Sequence, residues 1–280
     1  MQNGRERQVE ERIGRVFTES YLRDADYIMP SHHFHPYFEL YYVERGACRF
    51  FLGDGIYDLR TGDFLLIPPQ VLHYTRYLFG PCRRDAVFFR REDIDGETVS
   101  LLPGGADFFS EPRILQAAEF SRDQFAALFS RMVAEERIRD RASDALLRLR
   151  LRELLLLCSR CCTAAGEAPA DIRTTDRQIV RAAKYMAEHY AGHVTAAEIA
   201  AAAGFSPNYF SRRFRQATGV GVHEYLVYLR LRQAALELAS TGDSVTEIAL
   251  RCGFSDGNYF KDAFKKRYGM TPSAYRRAPG

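Results

Sequence analysis

No stretch of this chain reaches the roughly 18 consecutive apolar residues that mark a membrane-crossing helix. The longest candidate, around Leu151 to Cys158, is interrupted by Arg152 and Glu153. A signal-peptide-like apolar run is also missing from Met1 to Arg15, which is rich in Arg and Glu. These absences lead to the expectation of a soluble, cytoplasmic protein with no membrane partner. Its six cysteines, at 48, 82, 158, 161, 162 and 252, are then expected to be reduced. Cys158, Cys161 and Cys162 read as small packing residues on an Ala- and Leu-rich helix, with metal binding or oxidant sensing as the other reading. A strong net charge is lacking too, at +3, but the charge is unevenly placed. Residues 176–280 hold 15 Lys and Arg against 9 Asp and Glu, leaving 24 basic against 27 acidic residues before them. Nucleic acid is therefore expected at the C-terminal part and a different partner at the N-terminal part. At 280 residues the chain exceeds the usual single-domain size, so two domains are expected.

What is present is a unit written twice between Thr195 and Tyr275. An offset of 49 residues lays Glu198, Ile199, Ala200, Gly204, Phe205 and Ser206 on Glu247, Ile248, Ala249, Gly253, Phe254 and Ser255. After one extra residue near Gly257 the offset becomes 50, and Asn208, Tyr209, Phe210, Phe214, Gly219 and Tyr225 fall on Asn258, Tyr259, Phe260, Phe264, Gly269 and Tyr275. Each copy reads as a short helix, a tight turn and a second helix. Thr195 with Glu198, and Ser244 with Glu247, have capping-box spacing, in which hydroxyl and carboxylate each satisfy an orphan amide. Gly204 and Gly253 supply the turns. Ser206 and Ser255 suit the N-cap of the second helix, and Pro207 suits its first position. Phe210 and Phe214, four apart, face the core. Asn208, Ser211, Arg212 and Arg215 share the opposite face, and Asn258, Lys261, Asp262 and Lys265 match them in the second copy. Two helix-turn-helix motifs with hydrogen-bonding and cationic outer faces suit a DNA major groove.

The segment GFSDGNYFKDAFKKRYGMTPSAYRR, with its partner GFSPNYFSRRFRQATGVGVHEYL, resembles the paired DNA-binding domain of AraC/XylS-type transcription regulators over about the last hundred residues. That resemblance implies a long central helix, here roughly Val222 to Ser240, which sets both recognition helices into successive major grooves. It also implies base contacts near Asn208, Ser211 and Arg212, and near Gly257, Asn258, Lys261 and Asp262, with Ser206, Arg215 and Lys265 alongside. Gly257 has no side chain to read a base, and Asp262 is acidic.

Upstream, residues 16 to 30 read as a short strand or turn region. From His33 to Phe89 short apolar runs alternate with turn residues: 38–43, 48–52, 56–59, 64–67, 71–77 and 86–89. Gly53-Asp54-Gly55, Thr61-Gly62-Asp63 and Pro68-Pro69 are the turn signals, so closely spaced antiparallel hairpins in a small β-barrel or sandwich are expected. His33, His35 and Glu39 have like parity and share a face if the backbone is extended, and His73 follows on a later strand. The series HFHPYFE, then Gly46, then LRTGDFLLIPPQVLH resembles a cupin jelly roll of the kind that precedes AraC-type DNA-binding units as a sensor. Enzymatic cupins hold a metal with such residues, and three imidazoles and a carboxylate suit iron, manganese, nickel or zinc. The reading taken is that His33, His35, Glu39 and His73 line a ligand pocket, with no metal and no cofactor; structural and metal-binding roles stay open. No further acid–base pair is apparent, so neither an enzyme nor catalytic residues are expected.

Two helical patterns follow, about 121–137, with a stripe of Phe125, Leu128, Phe129 and Met132, and 142–162, apolar on more than one side. The second reads as packing between barrel and neighbouring helix, or, by the resemblance, as a dimer contact. Residues 163–174 read as a linker, and Ile179, Ala182, Ala183 and Met186 as the buried stripe of the next helix. The expectation is an α+β chain: a cupin-like sensor and dimerisation domain over 1–162 (barrel about 16–115, hairpin about 121–162), then a double helix-turn-helix domain over 175–280. Its function would be that of a small-molecule-responsive, sequence-specific activator, a homodimer working with double-stranded DNA and RNA polymerase. Two alternatives are a regulator governed by a protein partner or by abundance rather than a small molecule, and a metal-dependent cupin enzyme tethered to DNA.

Overall fold

The computed structural model describes residues 15–24, 27, 34–53, 55–77, 80–164 and 174–277. His33, Asp54 and residues 165–173, which include most of the expected linker, lie outside the described residues. The chain divides into two compact units, one rich in strands and one helical.

The strand-rich part of the chain is built from β1 (Phe17–Arg23), β2 (Phe38–Arg45), β3 (Ala47–Leu52), β4 (Gly55–Arg60), β5 (Asp63–Ile67), β6 (His73–Arg76), β7 (Cys82–Phe89), a short α1 (Gly96–Ser100), β8 (Arg113–Ala117), α2 (Arg122–Ile138), α3 (Ser143–Cys161) and β9 (Cys162–Ala164). One sheet runs β1-β7-β2-β5-β8-β9 and a second runs β4-β3-β6. β7 pairs antiparallel with β1 and β2, and β2 pairs antiparallel with β5. Alternation along β2 sends Leu40 and Tyr42 to one face. There they join Phe64, Leu66, Val87 and Phe89, with Phe125, Leu128, Phe129 and Met132 of α2 and Leu147, Leu151, Leu154 and Leu155 of α3, in one core. On the other face Tyr41 meets Phe50 of the second sheet, ring centroids 4.7 Å apart. The helical hairpin thus covers the outside of the larger sheet, while the inward face of β2 points between the two sheets.

The expected hairpins need correction. Of the three turn signals, only Gly53-Asp54-Gly55 joins neighbouring strands, β3 and β4. Thr61-Gly62-Asp63 and Pro68-Pro69 carry the chain from one sheet to the other. A turn residue fixes a change of direction, whereas the pairing partner is decided by non-local burial. Residues 17–23 form a full strand. β9 begins at Cys162, paired with Ala117, so α3 ends one residue before the expected boundary. Cys158 is buried in the core, and all six cysteines are free thiols.

The helical unit comprises α4 (Thr174–His189), α5 (Ala196–Ala202), α6 (Pro207–Thr218), α7 (Val222–Ser240), α8 (Val245–Arg251), α9 (Gly257–Tyr268) and α10 (Pro272–Arg277). Ile179, Ala182, Ala183 and Met186 are buried as a stripe on α4, and α7 spans the range read from the sequence. Both capping boxes form: Glu198 N–H donates to Thr195 Oγ1 at 3.2 Å and Glu247 N–H to Ser244 Oγ at 3.1 Å. Gly204 and Gly253 take φ of +74° and +88°, in the left-handed region where a Cβ is disfavoured. At Gly253 a Cβ would also stand 2.8 Å from the Ala191 carbonyl oxygen. Arg230 of α7 donates to the carbonyls of Tyr190 and Gly192, at 2.8 and 3.0 Å, and so ties the central helix to the end of α4. Among the described residues no helix is long and apolar enough to cross a membrane.

Candidate DNA-binding and effector sites

α5 with α6, and α8 with α9, form the two helix-turn-helix units. Phe210 and Phe214 on α6, and Phe260 and Phe264 on α9, are fully buried, and this fixes which face of each helix turns outward. Asn208, Ser211, Arg212 and Arg215 are all exposed on α6, as are Asn258, Lys261, Asp262 and Lys265 on α9. Ser206 and Gly257 stand exposed at the two helix starts. Arg212 lies against the Tyr209 ring, its guanidinium carbon 5.8 Å from the centroid. Arg215 is drawn away from this company: its Nη2 donates at 3.1 Å to Glu224 Oε2, which also accepts from Gly221 N–H at the start of α7. No ion pair among the described residues engages Arg212, Lys261 or Lys265.

The two copies differ at the N-terminus of the second helix. Ser206 is the N-cap of α6 but its side chain makes no capping bond. On α9 the cap is Asp256, accepting from the N–H groups of Asn258 and Tyr259 at 2.7 and 3.2 Å; the expected Ser255 lies one residue outside the helix. The extra residue of the second copy causes this shift. The α9 terminus is thus satisfied by a carboxylate, whereas the α6 terminus keeps its amides and its positive dipole end available to an anion. Tyr209 and Tyr259, 42% and 47% exposed at equivalent positions, were not singled out from the sequence, although their identity within the repeat was the signal that marks them.

In the strand-rich part, His35, Glu39 and His73 come together and are all buried, with donor atoms within 4.8 Å of one another. His35 reaches this place just before β2. Its backbone carbonyl accepts from Gln70 N–H at 2.9 Å, where Gln70 takes a φ of +62°. His35 Nδ1 lies 2.9 Å from the Tyr37 carbonyl oxygen. A carbonyl only accepts, so Nδ1 carries a proton. Nε2 is then turned to Glu39 Oε2 at 3.1 Å. Two imidazoles and a carboxylate gathered out of solvent could hold a divalent cation. The donor set fits such an ion. Metal-ligating histidines commonly donate the other N–H to a carbonyl, as His35 Nδ1 does here toward the Tyr37 carbonyl. His35, Glu39 and His73 would be the residues to hold it. Among the described residues this is the one group of His, Cys, Asp and Glu so arranged, and the cysteines at 158, 161 and 162 form no equivalent.

Residues 17–155 match the family model of the AraC-like ligand binding domain, and residues 199–278 match that of a helix-turn-helix domain. The chain is 27% identical over 253 residues to the HTH-type transcriptional activator RhaR of Mannheimia succiniciproducens, covering 87% of this chain and 86% of that protein. It is 29% identical over 220 residues to the arabinose operon regulatory protein of Salmonella typhimurium, covering 78% of this chain and 75% of that one. An uncharacterized HTH-type transcriptional regulator of Escherichia coli, YijO, is 41% identical over 93 residues, 33% of each chain. With a ligand-binding model and a helix-turn-helix model together matching most of its length, this chain belongs to the AraC family, DNA-binding transcription regulators with a ligand-sensing domain.

Proposed function

We propose that this regulator is a cytoplasmic homodimer that activates transcription by recruiting RNA polymerase when a small molecule occupies its barrel, and that it carries out no catalysis. In this reading residues 1–162 sense and dimerise, 163–174 link, and 175–280 bind DNA. The observation that carries it is the paired display on α6 and α9 of exposed polar and cationic side chains over fully buried phenylalanines. Asn208, Ser211, Arg212 and Asn258 would read base edges, Asn suiting adenine and Arg guanine, while Ser206, Lys261 and Lys265 hold phosphates and Arg215 joins them on leaving Glu224. Gly257 lets the backbone approach, and Asp262 restricts which base is tolerated. RhaR is named an activator, which supports the same sign of regulation here. The effector would sit against His33, His35, Glu39 and His73. It must bind one arrangement of the protein better than the other, since equal affinity would switch nothing.

The test is fluorescence anisotropy on a selected DNA site, titrated with a metabolite panel and with metal content assayed. Site occupancy that shifts with one compound is expected. Binding indifferent to every compound would instead support a regulator governed by a protein partner, and turnover with bound metal would support a DNA-tethered enzyme.

A further inference from the structure

Arg84 is a buried charge of the strand-rich unit whose Nε has no hydrogen-bond partner. The contrast is Arg49, also buried, whose Nη2 donates to Asp58 at 2.7 Å. Arg84 on β7 is 6% exposed, yet its nearest carboxylate oxygen, Glu19 Oε2, stands 3.8 Å from Nη2, beyond hydrogen-bond length, and its Nε meets no acceptor. The register of β1 with β7 sets Tyr21 directly opposite Arg84. The guanidinium carbon lies 4.9 Å from the Tyr21 ring centroid and 5.4 Å from that of Tyr41. Tyr41 in turn places its hydroxyl 3.5 Å from those of Tyr77 and from the Cys48 sulfur. Burial works against the charge, but Tyr41, Tyr77, Glu39 and Glu19 outweigh it and hold the Arg84 pKa above its ordinary value. The result is a permanently charged, rigid donor fork inside the barrel, ringed by phenols and lacking the acceptors that a buried guanidinium requires.

We propose that Arg84 reads the effector, its Nε–H and a neighbouring Nη–H taking two adjacent oxygens of the ligand, those of a carboxylate or of a vicinal diol. The assignment rests on the reading of the barrel as the effector site and names the residue that sets its chemistry.

The experiment screens the full-length protein by thermal shift against sugar acids, each beside the neutral sugar of the same ring, and against simple carboxylates. Arg84→Met removes the cation that faces Glu19 and Glu39, so it is expected to melt somewhat below the wild type without ligand and to lose the shift that a compound gives the wild type. Arg84→Lys, which keeps the charge but not the fork, is expected to fold and to lose the same shift, so the test survives if the methionine variant does not fold. A shift with the acid alone identifies a carboxylate, and one with the neutral sugar alone a diol. A lysine variant that retains the full shift, a methionine variant that folds and retains it, or a wild type that responds to no compound overturns the assignment. Specific DNA binding that persists through such a failure leaves the regulator reading standing.

Discussion

Among the described residues, fifteen buried polar or charged side chains lie before residue 144, and a single one, Thr218, lies after residue 174. The helical unit therefore keeps an almost wholly apolar interior and puts its chemistry on the surface, at Asn208, Arg212, Asn258 and Lys261. The strand-rich part does the reverse, burying His35, Glu39, His73, Arg84 and Asp85. Buried polar groups are costly unless they are hydrogen-bonded, and many of these are, as Arg49 is with Asp58 and Ser143 with Glu135; a polar interior suits a small partner. A surface rich in donors over a rigid apolar core suits a large, charged partner instead. One chain thus divides its labour by where it tolerates polarity.

Substitutions in the two regions should act in opposite ways. The largest effect is expected in the apolar interior of the helical unit: Phe210→Ala and Phe260→Ala should each cost about 3–5 kcal/mol in chemical denaturation. Similar losses would show the two copies to be one frame, and markedly unequal losses would separate them. In the strand-rich unit a gain is expected. Burial pushes the Asp85 carboxyl up to about 6, with Ser20 opposing the shift and Glu44 adding to it. Because its folded-state pKa is raised, the stability it contributes is present below the unfolded value near 4 and is lost as pH rises through about 6. Asp85→Asn should therefore be more stable than the wild type by on the order of 2–3 kcal/mol at pH 8 and no more stable below pH 4, as read from urea midpoints across that range. On the surface, Arg212→Ala should weaken specific DNA binding by about 1–3 kcal/mol with unchanged melting. An unaltered affinity would remove Arg212 from the contact surface. The smallest effects belong to the caps, where Thr195→Ala and Ser244→Ala should each cost about 1 kcal/mol of stability.

How far each region could be read from sequence follows the same division. The helical unit was legible because its determinants are local: capping boxes at Thr195 and Ser244, turn glycines at 204 and 253, and phenylalanines four apart gave the bounds of α7 and the outward faces. The lapse at Ser255 came from the single inserted residue, which hands the cap to Asp256. In the strand-rich unit, alternation revealed most strands but not their partners. β9 has three residues and exists through its pairing with β8, which no local pattern encodes. Arg84 was hidden for a related reason. Arg83 and Arg84 look alike in the sequence, and only the pairing of β7 between β1 and β2 turns one outward and buries the other among tyrosines. His35, Glu39 and His73 were legible as a set because parity and a known pattern coincide there.

The most direct test of the central claim is selection of genomic fragments by the purified full-length protein, followed by footprinting of the enriched site. Two paired helix-turn-helix units should give a two-part site whose halves lie about one helical turn apart, roughly 10–10.5 base pairs, with protection of one half weakened in Arg212→Ala. Retention of no fragment above bulk DNA, or a footprint with no paired structure, would contradict it.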